Sequence, residues 1–155
     1  MRSIYIASYI MPPSDPSIGY LVHWAGRLLR RLADRRLEPL GLSSAHLPVL
    51  TAILAQGALS QKVLAEAAEI EQPTMAATLA RMERDGIVRR EPDPDDGRSV
   101  LFSLSPAMQK KVGALRAVIE SINVDALAGL PADERARFKP LLVAMIAGLT
   151  RRLDD

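Results

Sequence analysis

The sequence predicts a mainly α-helical chain with a small β wing, and three observations carry that prediction. Apolar residues recur at helical spacing over most of the 155 residues. Strand-like alternation is confined to the run through Val100, Phe102 and Leu104. Between Ser60 and Leu104 the order is a short helix, a tight connection, a second helix ending in Asp85-Gly86, and a two-stranded hairpin with a charged tip. That order is a winged helix-turn-helix, here flanked by N- and C-terminal helices.

Composition narrows the function. The chain is long enough for one domain with a sizeable core, or for a small domain plus an extension. Hydrophobic content of 48% and charged content of 25% suit a folded globular protein. No apolar run approaches the roughly 18 to 20 residues of a membrane helix. The apolar IYIASYIM lacks an evident cleavage site, so no membrane association and a cytoplasmic location are expected. Cysteine is absent and only two histidines, His23 and His46, occur. Disulfides, thiolate sites and a dedicated zinc site are therefore not expected, and neither a metal nor a cofactor is. No nucleophile–base set or phosphate loop stands out, so an enzyme is not expected.

Charge is unevenly spread. Residues 1–56 carry six Arg against three acids, residues 57–104 six Lys/Arg against nine acids, and residues 105–155 eight bases against six acids. The segment expected to meet DNA is thus net acidic although the chain is +2 overall. Affinity for DNA depends on where the cations point, and the net acidity counts mildly against it.

Residues 1–16 form an arm ending in PPSDP, which cannot continue a helix. Ser14 or Asp15 is expected to cap a helix starting near Pro16. Leu21, Ala25, Leu28 and Leu32 give that helix its stripe, and Pro39-Leu40-Gly41 ends it, Gly41 supplying a positive φ. Ser43 or Ser44 caps the next helix, with Leu47, Leu50, Ile53 and Leu54 inward and Pro48 in the first turn. Leu59-Ser60 is a short extended bridge, the third strand of the wing sheet. Ser60 or Gln61 starts the next helix, with Val63, Leu64 and Ala67 inward.

Pro73 sits in the first turn of a helix over 73–85, which buries Met75, Leu79 and Met82. Thr74, Ala77, Thr78 and Arg81 fall outside that stripe. Their small side chains allow close approach to base edges, and the helix N-terminus suits a phosphate. A solvated surface is the competing reading. Ile87–Glu91 and Ser99–Leu104 are the two wing strands, joined by a turn-rich loop. At its tip an Asp96–Arg98 ion pair could fix a guanidinium for entry into a minor groove. Ser105-Pro106 opens a helix whose seam is Met108, Val112, Leu115, Ile119, Ile122 and Ala126. Ala128-Gly129 stops it. Phe138, Leu142, Met145, Leu149 and Leu153 line the last helix, which Pro140 should kink or shorten.

The domain organisation expected is an arm over 1–16, a helical dimerisation region over 17–40 and 105–155, and a DNA-binding winged helix over 41–104. A two-fold homodimer places two recognition helices about 34 Å apart, matching a pseudo-palindromic operator in double-stranded DNA. For a small-molecule effector, His23, Trp24, Arg27 and His46 are the candidate pocket residues, offering a stacking surface and a switchable donor.

The pieces LSSAHLPVL, LSQKVLAEAAEIEQPTMAATLARMERDGIV and RREPDPDDGRSVLFSLS resemble the MarR family of bacterial transcriptional regulators. The middle piece is most similar to the SlyA-type branch. The resemblance implies a homodimeric winged-helix repressor or activator whose DNA binding is weakened by small, often aromatic and anionic molecules. Those ligands bind between the DNA-binding lobe and the dimer helices. It places Pro73, Thr74, Ala76 and Ala77 at groove-facing positions, Arg98 as the wing finger and Asp96 as its partner. Ser60, Gln61, Lys62, Gln72, Thr78 and Arg81 complete the candidate DNA-contacting set. Many relatives carry Arg or Asn where this chain has Ala77, which shifts that contact toward Thr78 or Arg81. The alternative reading is a winged-helix adaptor that contacts proteins and not DNA.

Overall fold

The computed structural model describes residues 14–96 and 99–154. The first helix, α1 (Ile18–Leu37), is capped by Ser17, whose Oγ accepts the Tyr20 N–H at 3.2 Å. The cap therefore lies two or three residues beyond Ser14 or Asp15. Pro16 removes a donor before Ser17, and Ser17 is the hydroxyl that reaches the first-turn amides. A 3-10 turn over Glu38–Leu40 and Gly41 at φ 72° end α1 as expected.

A second 3-10 turn, Ser44–His46, leads into α2 (Leu47–Gln56). Next come β1 (Leu59–Ser60), α3 (Gln61–Ala68) and α4 (Gln72–Arg84). The wing strands are β2 (Val88–Pro92) and β3 (Val100–Leu104), followed by α5 (Pro106–Leu127) and α6 (Ala132–Asp154). Glu69 at φ 52° makes the α3 exit, an uncommon conformation for a residue with a Cβ.

The sheet is antiparallel in the order β1-β3-β2, so β3 is central. Phe102 pairs with Leu59 on one side and Arg90 on the other, and is only 2% exposed. Arg90 lays its guanidinium over the ring, 5.4 Å from the centroid, and reaches back to Glu83 of α4 at 3.3 Å. Ser105 anchors the base of the wing to α5: its Oγ accepts the Met108 N–H at 3.0 Å and donates to the Gly86 carbonyl.

The core gathers Leu37 from α1, Leu64 from α3, Met75 and Met82 from α4 and Leu115 from α5, all fully buried. On α3, Leu64 and Ala65 face inward, while Val63 and Ala67 are exposed. The expected trio of Val63, Leu64 and Ala67 is thus right only at Leu64. Along α5, Met108, Leu115 and Ile122 are buried and Val112 and Ile119 half-buried, while Ala126 is exposed. Arg36 holds α1 to α5 by donating to Ser121 Oγ at 2.8 Å and pairing with Asp125.

The last helix differs from the others. It runs through Pro140 without a break, so the expected shortening does not occur. None of its described side chains is fully buried. Leu142, Ile146, Leu149 and Leu153 stand in solvent, as do Ile18, Leu21 and Val22 at the start of α1. Exposed apolar surface on this scale marks an interaction face.

Candidate nucleic-acid interface

The helix that would read DNA is fixed from behind. Met75, Leu79 and Met82 recur at i, i+4 and i+7 and are at most 1% exposed. Burying one stripe forces the opposite flank of α4 outward. Gln72, Pro73, Thr74, Ala77 and Arg81 are exposed, and Ala76 and Thr78 half-buried. Thr78 Oγ1 donates to the Thr74 carbonyl at 2.9 Å, so its hydroxyl is turned back on its own helix. The helix begins at Gln72, one residue earlier than expected. Its cap residue, Glu71, makes no side-chain hydrogen bond to the first-turn amides, so those donors point outward with the positive end of the helix dipole.

Beside it, Ser60 caps α3 by accepting the Val63 N–H at 3.4 Å. Lys62 is exposed. Gln61 is half-buried and spans the two helices, its Nε2 donating to Gln72 Oε1 at 3.0 Å and to the Gln72 carbonyl at 3.4 Å.

Three of the nine acids in residues 57–104 are paired locally with arginines. Arg84 pairs with Asp85 at 3.0 Å, Arg89 with Glu91 at 3.1 Å and Arg90 with Glu83 at 3.3 Å. Asp85, Glu91 and Glu83 are each answered within their own neighbourhood. Lys62 and Arg81 make no ion pair among the described residues and are exposed. At the wing, Asp93 Oδ1 accepts the Asp95 N–H at 3.0 Å, forming a turn, and Asp96 is exposed. Arg98, with Gly97, lies outside the described residues, and so does the expected Asp96–Arg98 pair.

A cavity of about 680 Å³ opens where α1, α2, α4 and α5 meet, within the range of small-molecule sites. Leu29, Ala33, Leu47 and Ile119 give it apolar walls, while Arg30 from α1 and Arg81 from α4 supply positive charge. Thr74 and Thr78 also line it. None of His23, Trp24, Arg27 or His46 lines this cavity. The cavity meets α1 one to two turns further along, at Leu29, Arg30 and Ala33. His23 and Arg27 are exposed, and Trp24 packs edge-on to Tyr20 with ring centroids 6.0 Å apart.

His46 has a structural task instead. Its Nδ1 accepts the Ser43 N–H at 3.2 Å, the return bond of a capping box. Burial pushes its pKa below the usual histidine value; the Asp85 charge pulls it up and Arg81 pulls it further down. Asp34 Oδ1 accepts the Ser44 N–H at 2.7 Å on the same turn, which holds its carboxyl below the usual carboxylate range. Both folded pKa values lie below their unfolded ones, so the unfolded chain binds more protons and acid destabilises the fold. His46 acts from about pH 6.5 downward and Asp34 only below about pH 4. His46→Gln keeps an acceptor for Ser43 without titrating. We therefore expect its urea midpoint to fall less than that of wild type between about pH 7.5 and 5. Equal losses in the two proteins would remove His46 from the account.

Residues 40–99 match the MarR family model. Over its winged helix the chain is similar to the MarR family. Among solved structures it is similar to a "probable transcriptional regulator" from Pseudomonas aeruginosa, with 29% identity and a TM-score of 0.75, covering 83% of this chain and 96% of that one. A MarR variant from E. coli in complex with operator DNA has 25% identity and a TM-score of 0.74, covering 82% and 91%. The S. aureus MepR–DNA complex, at 23% identity, shares the fold with a TM-score of 0.76, over 86% and 99%. The winged helix with flanking helices is thus a MarR-family architecture. The SlyA-type branch within it stays a resemblance of the recognition segment.

Among the described residues, no single helix is long and apolar enough to cross a membrane.

Proposed function

We propose that this chain is a cytoplasmic, sequence-specific double-stranded DNA-binding transcriptional regulator of the MarR family. It acts as a homodimer and as a repressor, and has no enzymatic role. The observation that carries the reading is the outward flank of α4, with uncapped N-terminal amides at Gln72 and Thr74 and a rigid apolar back. The E. coli relative of the same architecture was captured on operator DNA. The exposed apolar faces of α1 and α6 fit a second copy of the chain, which sets the spacing of two α4 helices on a pseudo-palindromic site. The adaptor alternative draws on the acidity of residues 57–104; against it, the exposed cations Lys62 and Arg81 lie on α3 and α4, outside the pairs that Glu83, Asp85 and Glu91 make.

The effector belongs in the cavity between α1, α2, α4 and α5. Arg30 and Arg81 suit an anionic group, and the apolar walls suit a ring. Because Thr74, Thr78 and Arg81 belong to α4, a bound molecule touches the helix that meets DNA. It releases DNA by binding tighter to head positions that do not fit the operator. Titration with a panel of small aromatic carboxylates is expected to lower DNA affinity. Binding that leaves that affinity unchanged would separate the cavity from regulation.

At the wing, Arg98→Ala is expected to weaken binding to the gene's own upstream intergenic DNA at least severalfold, by loss of a minor-groove cation, while the dimer stays intact. Unchanged affinity would sink the wing assignment.

A further inference from the structure

Resting on the DNA-binding reading, we infer that Gln72 reads an adenine in each half-site and that Gln61 is the residue that fixes which way its amide faces. Few long side chains stand at the exposed start of α4. Gln72 is one, and it is joined to Gln61 across the turn.

The polarity of that pair follows from a backbone atom. Gln61 Nε2 lies 3.4 Å from the Gln72 carbonyl oxygen, which can only accept. The Gln61 amide must therefore turn its NH2 toward Gln72. Its other hydrogen then meets the Gln72 side chain at 3.0 Å, where only Oε1 can receive it. If Gln72 flipped, two NH2 groups would face one another. If Gln61 flipped, its oxygen would face the carbonyl. One arrangement of both amides is left.

Gln61 is half-buried and spends both donors in this way, whereas Gln72 is exposed and keeps its own NH2 and the second lone pair of Oε1. What it offers outward is a donor beside an acceptor. In the major groove adenine presents N7, an acceptor, beside the N6 amino donor, the complementary pair. Guanine presents two acceptors there, so O6 would oppose Gln72 Oε1. Gln61 acts through Gln72 and is a positioning residue, holding the amide before DNA arrives.

The test selects a random duplex library with the wild-type homodimer, then measures single-base variants of the selected site. Wild type should prefer A·T at one position per half-site by roughly 5- to 140-fold, the range for a good bidentate contact. Gln72→Ala should bring that preference near unity and leave other positions unchanged. Gln61→Ala should lose most of the preference at the same position, and the double variant should be no worse than Gln72→Ala. Affinity for unselected duplex, its salt slope and the melting temperature should not move, which separates loss of reading from loss of fold. A retained preference in Gln72→Ala overturns the inference. So do a Gln61→Ala protein with wild-type preference, and effects of the two variants at different positions. A protein that binds DNA yet shows either result leaves the DNA reading standing; one that selects no sequence removes both.

Discussion

Phe102→Ala is expected to destabilise the protein by about 3 to 5 kcal/mol, the usual cost of emptying a large aromatic site in a core. Against a typical total of about 5 to 15 kcal/mol that is a large share, and melting should drop by roughly 10 °C. Phe102 sits on the central strand between Leu59 and Arg90 and is 2% exposed. Its loss also leaves the Arg90 guanidinium without the ring beneath it. A two-stranded ribbon is barely stable alone, so the wing depends on this anchor. Val100→Ala on the same strand, at 40% exposure, is the control and should cost less than about 1 kcal/mol. Urea unfolding of both variants checks the prediction. A Phe102→Ala loss as small as that of Val100→Ala would show that the sheet is not held by this residue.

The second large effect concerns the outer helices. Leu142→Glu with Ile146→Glu should convert the protein to a monomer at micromolar concentration. Both residues are exposed in the single chain, four apart on α6. In a two-fold dimer each change occurs twice, so four apolar sites are lost, each worth about 1.5 kcal/mol or more. The sum, roughly 6 kcal/mol, raises the dimer dissociation constant by about four decades. No described side chain of α6 is fully buried, so the winged core should remain folded. Sedimentation and circular dichroism together decide it. A dimer that survives the double change places the interface elsewhere.

Much of the fold was legible because punctuation and periodicity agree. Pro39 to Gly41, Gln56-Gly57, Asp85-Gly86 and Ser105-Pro106 each mark an end or a start that the structure places within a residue or two. The stripe of Met75, Leu79 and Met82 needed no tertiary information, since large residues on a 13-residue helix allow only one buried face. The shorter α3 was misread for the opposite reason. Over eight residues of Val, Leu and Ala, stripes offset by one position are equally apolar, and packing against α2 and α4 selects Leu64 and Ala65. The cavity was illegible because residues from α1 through α5 converge there only in three dimensions. His46 drew attention as a switchable donor, yet its neighbour Ser43 already claims Nδ1. The Gln61–Gln72 bond was hidden likewise, eleven residues apart with no periodicity to announce it.

The most direct test of a DNA-reading dimer is a titration of the purified protein onto its own upstream intergenic duplex at several salt concentrations, with the mass of the complex followed by light scattering. The account predicts two chains per site. It also predicts an affinity whose logarithm falls linearly with the logarithm of salt, by about 0.9 for each phosphate neutralised. One chain per site, or an affinity indifferent to salt, would contradict it.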